Sequence, residues 1–372
     1  MRNLGIGIVG GGYMGKAHAV ALQAVGAVFD TALRPVCEMI CTTTEEGAKE
    51  KARALGFKRS TAAWRTLVED PVVEAIVIAS PQAFHRDIAL AAFERGKPVF
   101  CEKPLGAGLE DSRVMVAAAE RSGCANMTGF NYIRTPASQL ARQIIASGEV
   151  GEVTYFRGEH TEDFLSDPEA PASWRTQGRA NGTMGDLAPH MINGALALMG
   201  PIESLMADIE TVHGSRPDSG GSPETVTNDD HGQFLCRFEN GAMGMLYFSR
   251  IATGRKMGYA YEVFGTKGAL RFDQEDQNAL WLYKGDAAGD RQGYTKILTG
   301  AEHPDYVHFC LGPGHGTGYQ DQIIIEARDF LRAIETGDAV WPTFRDGMEV
   351  NRVIAAAWAS QEERRWVSLN SI

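Results

Sequence analysis

The stretch GIVGGGYMG, Gly7–Gly15, decides how the chain begins. Gly10, Gly12 and Gly15 have the G-x-G-x-x-G spacing of a dinucleotide-binding turn, a pattern that is weak alone and gains meaning only from a strand before it and a helix after it. Both are legible. Leu4–Val9 is a short apolar run bounded by glycines, and KAHAVALQAVG (16–26) sets Ala17, Val20, Ala21 and Ala24 near one helical face. In that setting Gly10 permits the tight turn, Gly12 lets the backbone approach a pyrophosphate, and Gly15 lets helix and strand pack closely. The helix N-terminus then faces the phosphate charge.

The alternation continues through the first third. PVCEMICTT, VEAIVIAS, PVFCEKP and CANMTGFNY read as strands; EEGAKEKARALG, AAWRTLVED, HRDIALAAFERG and EDSRVMVAAAERSG read as helices between them. Such βαβ repetition implies a doubly wound parallel sheet, with ligands at the carboxyl ends of the strands. The end of the second strand reads CTTT, so Thr42 stands where NAD-binding units often carry an acidic residue for the ribose. Without a carboxylate a 2′-phosphate is not repelled, yet no arginine attracts one. Glu45 and Glu46 follow, either serving the ribose or opening the next helix. The cofactor is therefore NAD or NADP, with a lean to NAD.

From about residue 131 the pattern changes. EVTYFRGEHTED alternates as a strand, FENGAMGMLYFS is a hairpin turning at Asn240-Gly241, and YEVFGTKGALRFD is a second hairpin around Gly265–Gly268. Consecutive strands of this kind predict an antiparallel sheet, and so an α+β domain. Residues 213–230 read as a mobile surface loop. A helix with Ile323, Ala327, Phe330 and Ile334 on one face and a last helix over about 346–362 follow. The expected domains are 1–130, a dinucleotide-binding α/β unit, and 131–372, an α+β unit, with the last helix free to return to the first domain.

Length, charge and cysteines narrow the classes. A chain of 372 residues fits about two domains. Its net charge of −11 argues against a nucleic-acid binder. The six cysteines are scattered without a C-x-x-C pair, which suits a reducing compartment and disfavours a zinc site, so no metal is expected. No run approaches the roughly 18 apolar residues of a membrane span. The start of the chain imitates a signal peptide, but five glycines from Gly5 to Gly12 spoil its apolar core. A cytoplasmic location follows by default.

Two stretches carry candidate chemistry. CEKPLG (101–106) sets Glu102, Lys103 and Pro104 at the end of a parallel strand. Lys103 there either stabilises negative charge on a reacting oxygen or simply pairs with Glu102. GDLAPHMINGALALMG (185–200) reads as a helix with Pro189 in its first turn. Asp186 and His190, four apart, share a face if the helix begins at or before Asp186. A helix N-terminus and a nearby Lys103 both keep His190 neutral, as a general base requires, with Asp186 orienting it. The other reading is an N-capping aspartate and a core histidine. His315, in the glycine-rich GPGHGTGY, either lines a pocket or merely turns.

GIVGGGYMG, SPQAFH, CEKPLG, GFNYIRTPA, GDLAPHMIN and FENGAMG, in this order, resemble the glucose-fructose oxidoreductase / inositol dehydrogenase (Gfo/Idh/MocA) family along nearly the whole chain. The resemblance implies an α/β Rossmann domain followed by an α+β substrate-binding and oligomerisation domain with a large open, mainly antiparallel sheet, and an NAD(P)-dependent oxidoreductase moving a hydride between a secondary hydroxyl of a sugar, anhydrosugar or cyclitol and nicotinamide. It implies Lys103, Asp186 and His190 as catalytic, and a cofactor set of Gly10, Gly12, Tyr13, Met14, Gly15, Thr42, Ser80, Pro81, His85, Glu102 and Lys103. Within the family FNYIRTPA, SDPEAPASWR and GHGTGYQD look most like levoglucosan- and inositol-type dehydrogenases. By that likeness Tyr132, Arg134, Trp174 and Arg175 join His315 as substrate candidates, and a homodimer or homotetramer forms through the open sheet. Two other activities exist among such chains: an NAD-dependent glycoside hydrolase with no net redox, and a non-catalytic nucleotide-binding regulator.

Overall fold

In the computed structural model, which describes residues 2–286 and 288–372, the chain divides into two units, Met1–Arg134 with Gly318–Asn351, and Thr135–Thr317 with Arg352–Ile372. The sequence reading cut the chain at 130/131 and let only the last helix return. The structure assigns the helix before it, Tyr319–Thr336, to the first unit and divides the last helix, Phe344–Glu363, after Asn351.

The first unit alternates strands and helices: β1 (Arg2–Val9), α1 (Tyr13–Val28), β2 (Leu33–Cys41), α2 (Glu45–Leu55), β3 (Arg59–Thr61), α3 (Trp64–Glu69), β4 (Ala75–Ile78), α4 (His85–Glu94), β5 (Val99–Glu102), α5 (Leu109–Ser122) and β6 (Asn126–Gly129). The six strands form one parallel sheet in the order β3-β2-β1-β4-β5-β6. The order reverses between β1 and β4, the position at which doubly wound sheets bind ligands. The strands read as continuous apolar runs because helices cover both faces. Val9, Ile76, Ile78, Val99 and Cys101 pack with Ile88, Phe93 and Met115 in one buried cluster.

The second unit holds α6 (Pro136–Ala146), β7 (Val153–Thr161), α7 (Thr183–Asp186), α8 (Ala188–Met199), β8 (Ile202–Glu210), a small ribbon of β9 (Ser215–Pro217) and β10 (Pro223–Thr225), β11 (His231–Phe238), β12 (Met243–Ser249), β13 (Gly258–Gly265), β14 (Gly268–Asp273), β15 (Ala279–Lys284), β16 (Thr295–Leu298) and α9 (Tyr306–Phe309). Helices α10 (Tyr319–Thr336) and α11 (Phe344–Glu363) and strand β17 (Val367–Ser368) end the chain. The large sheet runs β16-β15-β14-β13-β7-β12-β11-β8-β17, antiparallel except where β7 lies parallel to β12. Both expected hairpins form, the first around Gly241 with φ +88°. Helices α6 and α8 pack on one face, over a layer that includes Phe156, Tyr259, Tyr261 and Phe272. The strands alternate, so the other face presents Met206, Leu235 and Met243 to solvent.

Two local expectations change. The span 185–200 is not one helix: α7 ends at Asp186, Leu187 links, and α8 begins at Ala188 with Pro189 in its first turn. Pro189 has no N–H to continue the ladder, so the helix restarts there. The supposed loop 213–230 contains the β9–β10 ribbon, and its end is buried: Asn228, Asp229 and Asp230 are 2%, 1% and 0% exposed.

Candidate active site

In the first unit the glycine turn is stitched to its neighbours by backbone. The Gly10 N–H donates to the Cys41 carbonyl at 2.9 Å, and the Ala79 N–H donates to Val9 at 2.8 Å. Gly10 has φ +114°, and a Cβ there would sit 2.2 Å from the Ala79 oxygen; at Gly15 it would sit 2.0 Å from the Gly10 oxygen. Neither position admits a side chain. A Cβ at Gly12 would meet nothing within 4 Å, and no side chain caps α1. The turn thus offers open space over an uncapped helix N-terminus, which fits the pyrophosphate of a dinucleotide. Thr42 borders this turn, its Cγ2 only 2.7 Å from where a Gly11 Cβ would stand. Glu45 is already occupied, accepting the Ala62 N–H at 3.0 Å.

The strand ends around Ser80 and Pro104 are tied by His85. Its Nε2–H donates to the Ser80 carbonyl at 2.8 Å, and Nδ1 lies 3.1 Å from the Pro104 oxygen. Burial holds its pKa below the ordinary histidine value. His85, expected against the cofactor, spends its ring on holding Ser80–Pro81 beside the Lys103-Pro104 segment, whose peptide bond is cis. Glu102 is buried with its Oε1 2.7 Å from Nε2 of the buried His18 on α1. The Lys103 segment and the helix of the glycine turn are therefore joined by one buried contact.

Tyr319 was missed in the sequence, although it lies in the quoted GHGTGYQD. Its ring stands 5.9 Å from Tyr13 and 6.0 Å from Tyr132, and its hydroxyl lies 3.3 Å from Met14 Sδ. It gathers three of the expected residues into one cluster. Glu326, one helical face along, is fully buried, and burial together with the charge of Glu102 pushes its carboxyl well above the usual range. Arg134 is buried in an ion pair with Asp329 and donates to the Trp341 carbonyl at 2.8 Å. Those bonds commit it to holding α10 and the Trp341 segment.

In the second unit the structure brings Asp186 and Arg175 together. Arg175 Nη1 donates to Asp186 Oδ2 at 3.0 Å, and its guanidinium lies 4.5 Å from the Trp174 ring and 5.6 Å from the Phe164 ring. Trp174 is 57% exposed and Phe164 42%. Asp186 does not cap α8, whose N-cap residue is Leu187 with no side-chain cap bond. His190 is buried in the first turn of α8, its ring 5.6 Å from that of His160. His160, another residue the sequence reading passed over, donates from Nδ1 to the Leu187 carbonyl at 2.8 Å and so fixes the link between Asp186 and His190. His315 is exposed, with Nδ1 3.0 Å from Cys310 Sγ. Among the described residues no group of three His, Cys, Asp or Glu is placed to hold a metal ion, and no helix is long and apolar enough to cross a membrane.

Comparisons with known proteins identify the family. Residues 4–130 match an oxidoreductase family with an NAD-binding Rossmann fold, and residues 138–271 match the GFO/IDH/MocA C-terminal domain. The chain is 37% identical over 388 residues to levoglucosan dehydrogenase of Pseudarthrobacter phenanthrenivorans, covering 100% of each chain. It is 26% identical over 372 residues to myo-inositol 2-dehydrogenase of Thermotoga maritima, covering 99% of each. A solved structure of levoglucosan dehydrogenase in complex with NADH and levoglucosan superposes with a TM-score of 0.96 at 37% identity, covering 99% of this chain and 100% of that one.

Proposed function

The chain belongs to the GFO/IDH/MocA oxidoreductases, an NAD-binding family, and on that premise we propose that it oxidises a secondary hydroxyl of a sugar, anhydrosugar or cyclitol. The observation that carries the substrate class is the Arg175–Asp186 ion pair flanked by the exposed rings of Trp174 and Phe164. Charged donors and acceptors beside flat apolar faces suit a polyhydroxylated ring.

Bound at the glycine turn, NAD supplies a hydride acceptor. His190 receives the hydroxyl proton as general base, and Asp186 orients it or passes that proton on. Lys103 donates a hydrogen bond to the same oxygen and stabilises the charge it gains as the proton leaves. Electrons balance: the C–H pair departs as hydride and the O–H proton goes to His190. Gly10, Gly12, Tyr13, Met14, Gly15, Thr42 and Ser80–Pro81 hold the dinucleotide. His85 and Glu102 position the lysine segment, and Arg134 serves the fold.

The open sheet face is read as the contact with a second copy of the chain. Register sets Met206, Leu235 and Met245 side by side on three adjacent strands, an apolar row that a twin surface would cover. Light scattering that finds a monomer at micromolar concentration overturns this.

The activity is tested by following nicotinamide absorbance with NAD and, in turn, levoglucosan, myo-inositol and glucose. Reduction with any of them is the expected result. Silence with nucleotide released on denaturation favours a redox-neutral hydrolase instead, and silence without bound nucleotide favours a regulator.

A further inference from the structure

We infer that Asn228, Asp229 and Asp230, with Arg250, form a positioning platform that sets the geometry of Arg175 against Asp186. This rests on the roles just proposed for the Asp186 segment. The three consecutive polar residues are nearly fully buried, and so is Arg250 at 2% exposure. Buried polar groups of this number demand partners, and several of the partners lie on the two backbone segments that carry Arg175 and Asp186.

The first segment is held at its carbonyl. The Arg175 oxygen accepts from Arg250 Nη1 at 2.7 Å and from Asn228 Nδ2 at 2.9 Å. Asn228 Nδ2 also reaches the Gly178 oxygen at 3.2 Å, and its Oδ1 accepts from Arg250 Nη2 at 2.8 Å. Arg250 is in turn fixed by Asp230 Oδ1, which accepts from Nε at 3.1 Å and from Nη2 at 2.9 Å. With its carbonyl clamped, Arg175 has only side-chain torsions left, and Trp174 and Phe164 limit those.

The second segment is held at the start of α7, the four-residue helix that ends in Asp186. Asp229 Oδ2 accepts the Met184 N–H at 2.7 Å, the Asp229 carbonyl accepts the Thr183 N–H at 3.2 Å, and the Asp230 carbonyl accepts the Thr183 hydroxyl at 2.8 Å. Gly182 makes room: a Cβ there would stand 2.0 Å from Asp229 Oδ1. One three-residue run therefore anchors both partners of the ion pair. The remaining Asp230 oxygen accepts the Val212 and His213 N–H groups, which ties the run to the end of β8.

The test is a double-mutant cycle on the full-length enzyme with NAD and whichever of levoglucosan, myo-inositol or glucose it oxidises. Asn228→Ser removes one of the two donors to the Arg175 carbonyl and the Asn228 acceptor that holds Arg250. It is expected to lower kcat about tenfold to a hundredfold, the cost of roughly an ångström of misplacement, while NADH affinity stays as in the wild type. In an Arg175→Ala background the same change should cost little more, because its effect runs through Arg175. A wild-type kcat in Asn228→Ser, or additive losses in the double variant, overturns the inference. If Asn228→Ser does not fold, Arg250→Lys enters the same cycle. A second readout needs no turnover: a crystal structure of the variant in which Arg175 still meets Asp186 at 3.0 Å also overturns it, and a broken or lengthened contact supports it. His190→Asn separates the two levels. Retained turnover there refutes the proposed acid–base role, whereas lost turnover beside an unaffected Asn228→Ser refutes only the platform.

Discussion

The glycine turn of the first unit is held mainly by backbone, and the candidate residues of the second unit mainly by buried side chains. Around Gly10 the decisive contacts are main-chain N–H groups and carbonyls on adjoining strands, and the side chains that matter are the missing ones. Around Asp186 they are the Arg250 guanidinium, the Asp229 and Asp230 carboxylates and the Asn228 amide, whose partners lie tens of residues away. A backbone-built site is rigid because its geometry is that of the sheet. A side-chain-built site can be reshaped one bond at a time, which suits the part of an enzyme that chooses its substrate.

The sharpest way to break this comparison is to remove the chemistry and leave both scaffolds. His190→Asn should lower kcat by about a hundredfold to ten-thousandfold, the usual worth of a general base, and leave NADH binding unchanged by fluorescence titration. Lys103→Ala should lose a similar amount. Turnover within a factor of two of wild type in either variant removes that residue from the mechanism.

Next comes a backbone lesion. Gly10→Ala forces a side chain into φ +114° and to 2.2 Å from the Ala79 oxygen. The strain should cost roughly 1–3 kcal/mol, seen as a lower melting temperature, together with weakened NADH binding. The opposite pattern from His190→Asn is what the comparison requires. If Gly10→Ala keeps both stability and NADH affinity, the turn is less constrained than its contacts indicate.

That contrast also explains what the sequence disclosed. Gly10 and Gly15 were legible because a forbidden dihedral or a 2.0 Å approach leaves glycine as the acceptable residue. The doubly wound sheet was legible because its apolar runs and helices alternate, and the hairpin at Asn240-Gly241 because its turn demands positive φ. Asn228–Asp230 failed for the converse reason. A run of Asn and Asp after Gly and Pro has loop composition, and its burial depends on Arg250, Met184 and Arg175, none of which is local. The Asp186–His190 segment was half legible: Pro189 in the first turn of a helix was readable, but the hold of His160 on the Leu187 carbonyl comes from strand β7, 27 residues away. Arg134, a substrate candidate by family likeness, meets Asp329 and the Trp341 carbonyl, partners so far along the chain that the sequence does not set them beside it.

A smaller effect concerns pH. Burial pushes the Asp229 carboxyl up to about 6, above the roughly 3.9 of an unfolded chain. A raised carboxyl means that the folded state holds this proton more tightly. Its stabilisation is complete below pH ~4 and is lost as pH rises through 6. Asp229→Asn keeps an acceptor for the Met184 N–H and does not titrate. Melting temperature against pH should therefore lose part of its fall between 4 and 6 in the variant. Identical profiles for wild type and Asp229→Asn place the titration elsewhere.

The smallest expected change tests whether the first unit is as closed to side-chain tuning as its backbone contacts suggest. Thr42 follows the end of β2, against the glycine turn, and its hydroxyl donates to the Thr44 carbonyl at 3.1 Å. A carboxylate at this place in a Rossmann unit accepts the ribose hydroxyls and repels a 2′-phosphate. Thr42→Asp should leave kcat with NAD near wild type and lower kcat/KM with NADP about tenfold, the scale of one like-charge contact near a surface. The Lys51 stem also borders Gly11, so its ammonium offsets part of that repulsion, and Thr42→Asp with Lys51→Ala should discriminate more than Thr42→Asp alone. An unchanged ratio of NAD to NADP efficiency in both variants would mean that the ribose lies away from Thr42. The backbone turn alone would then set how this unit holds its cofactor.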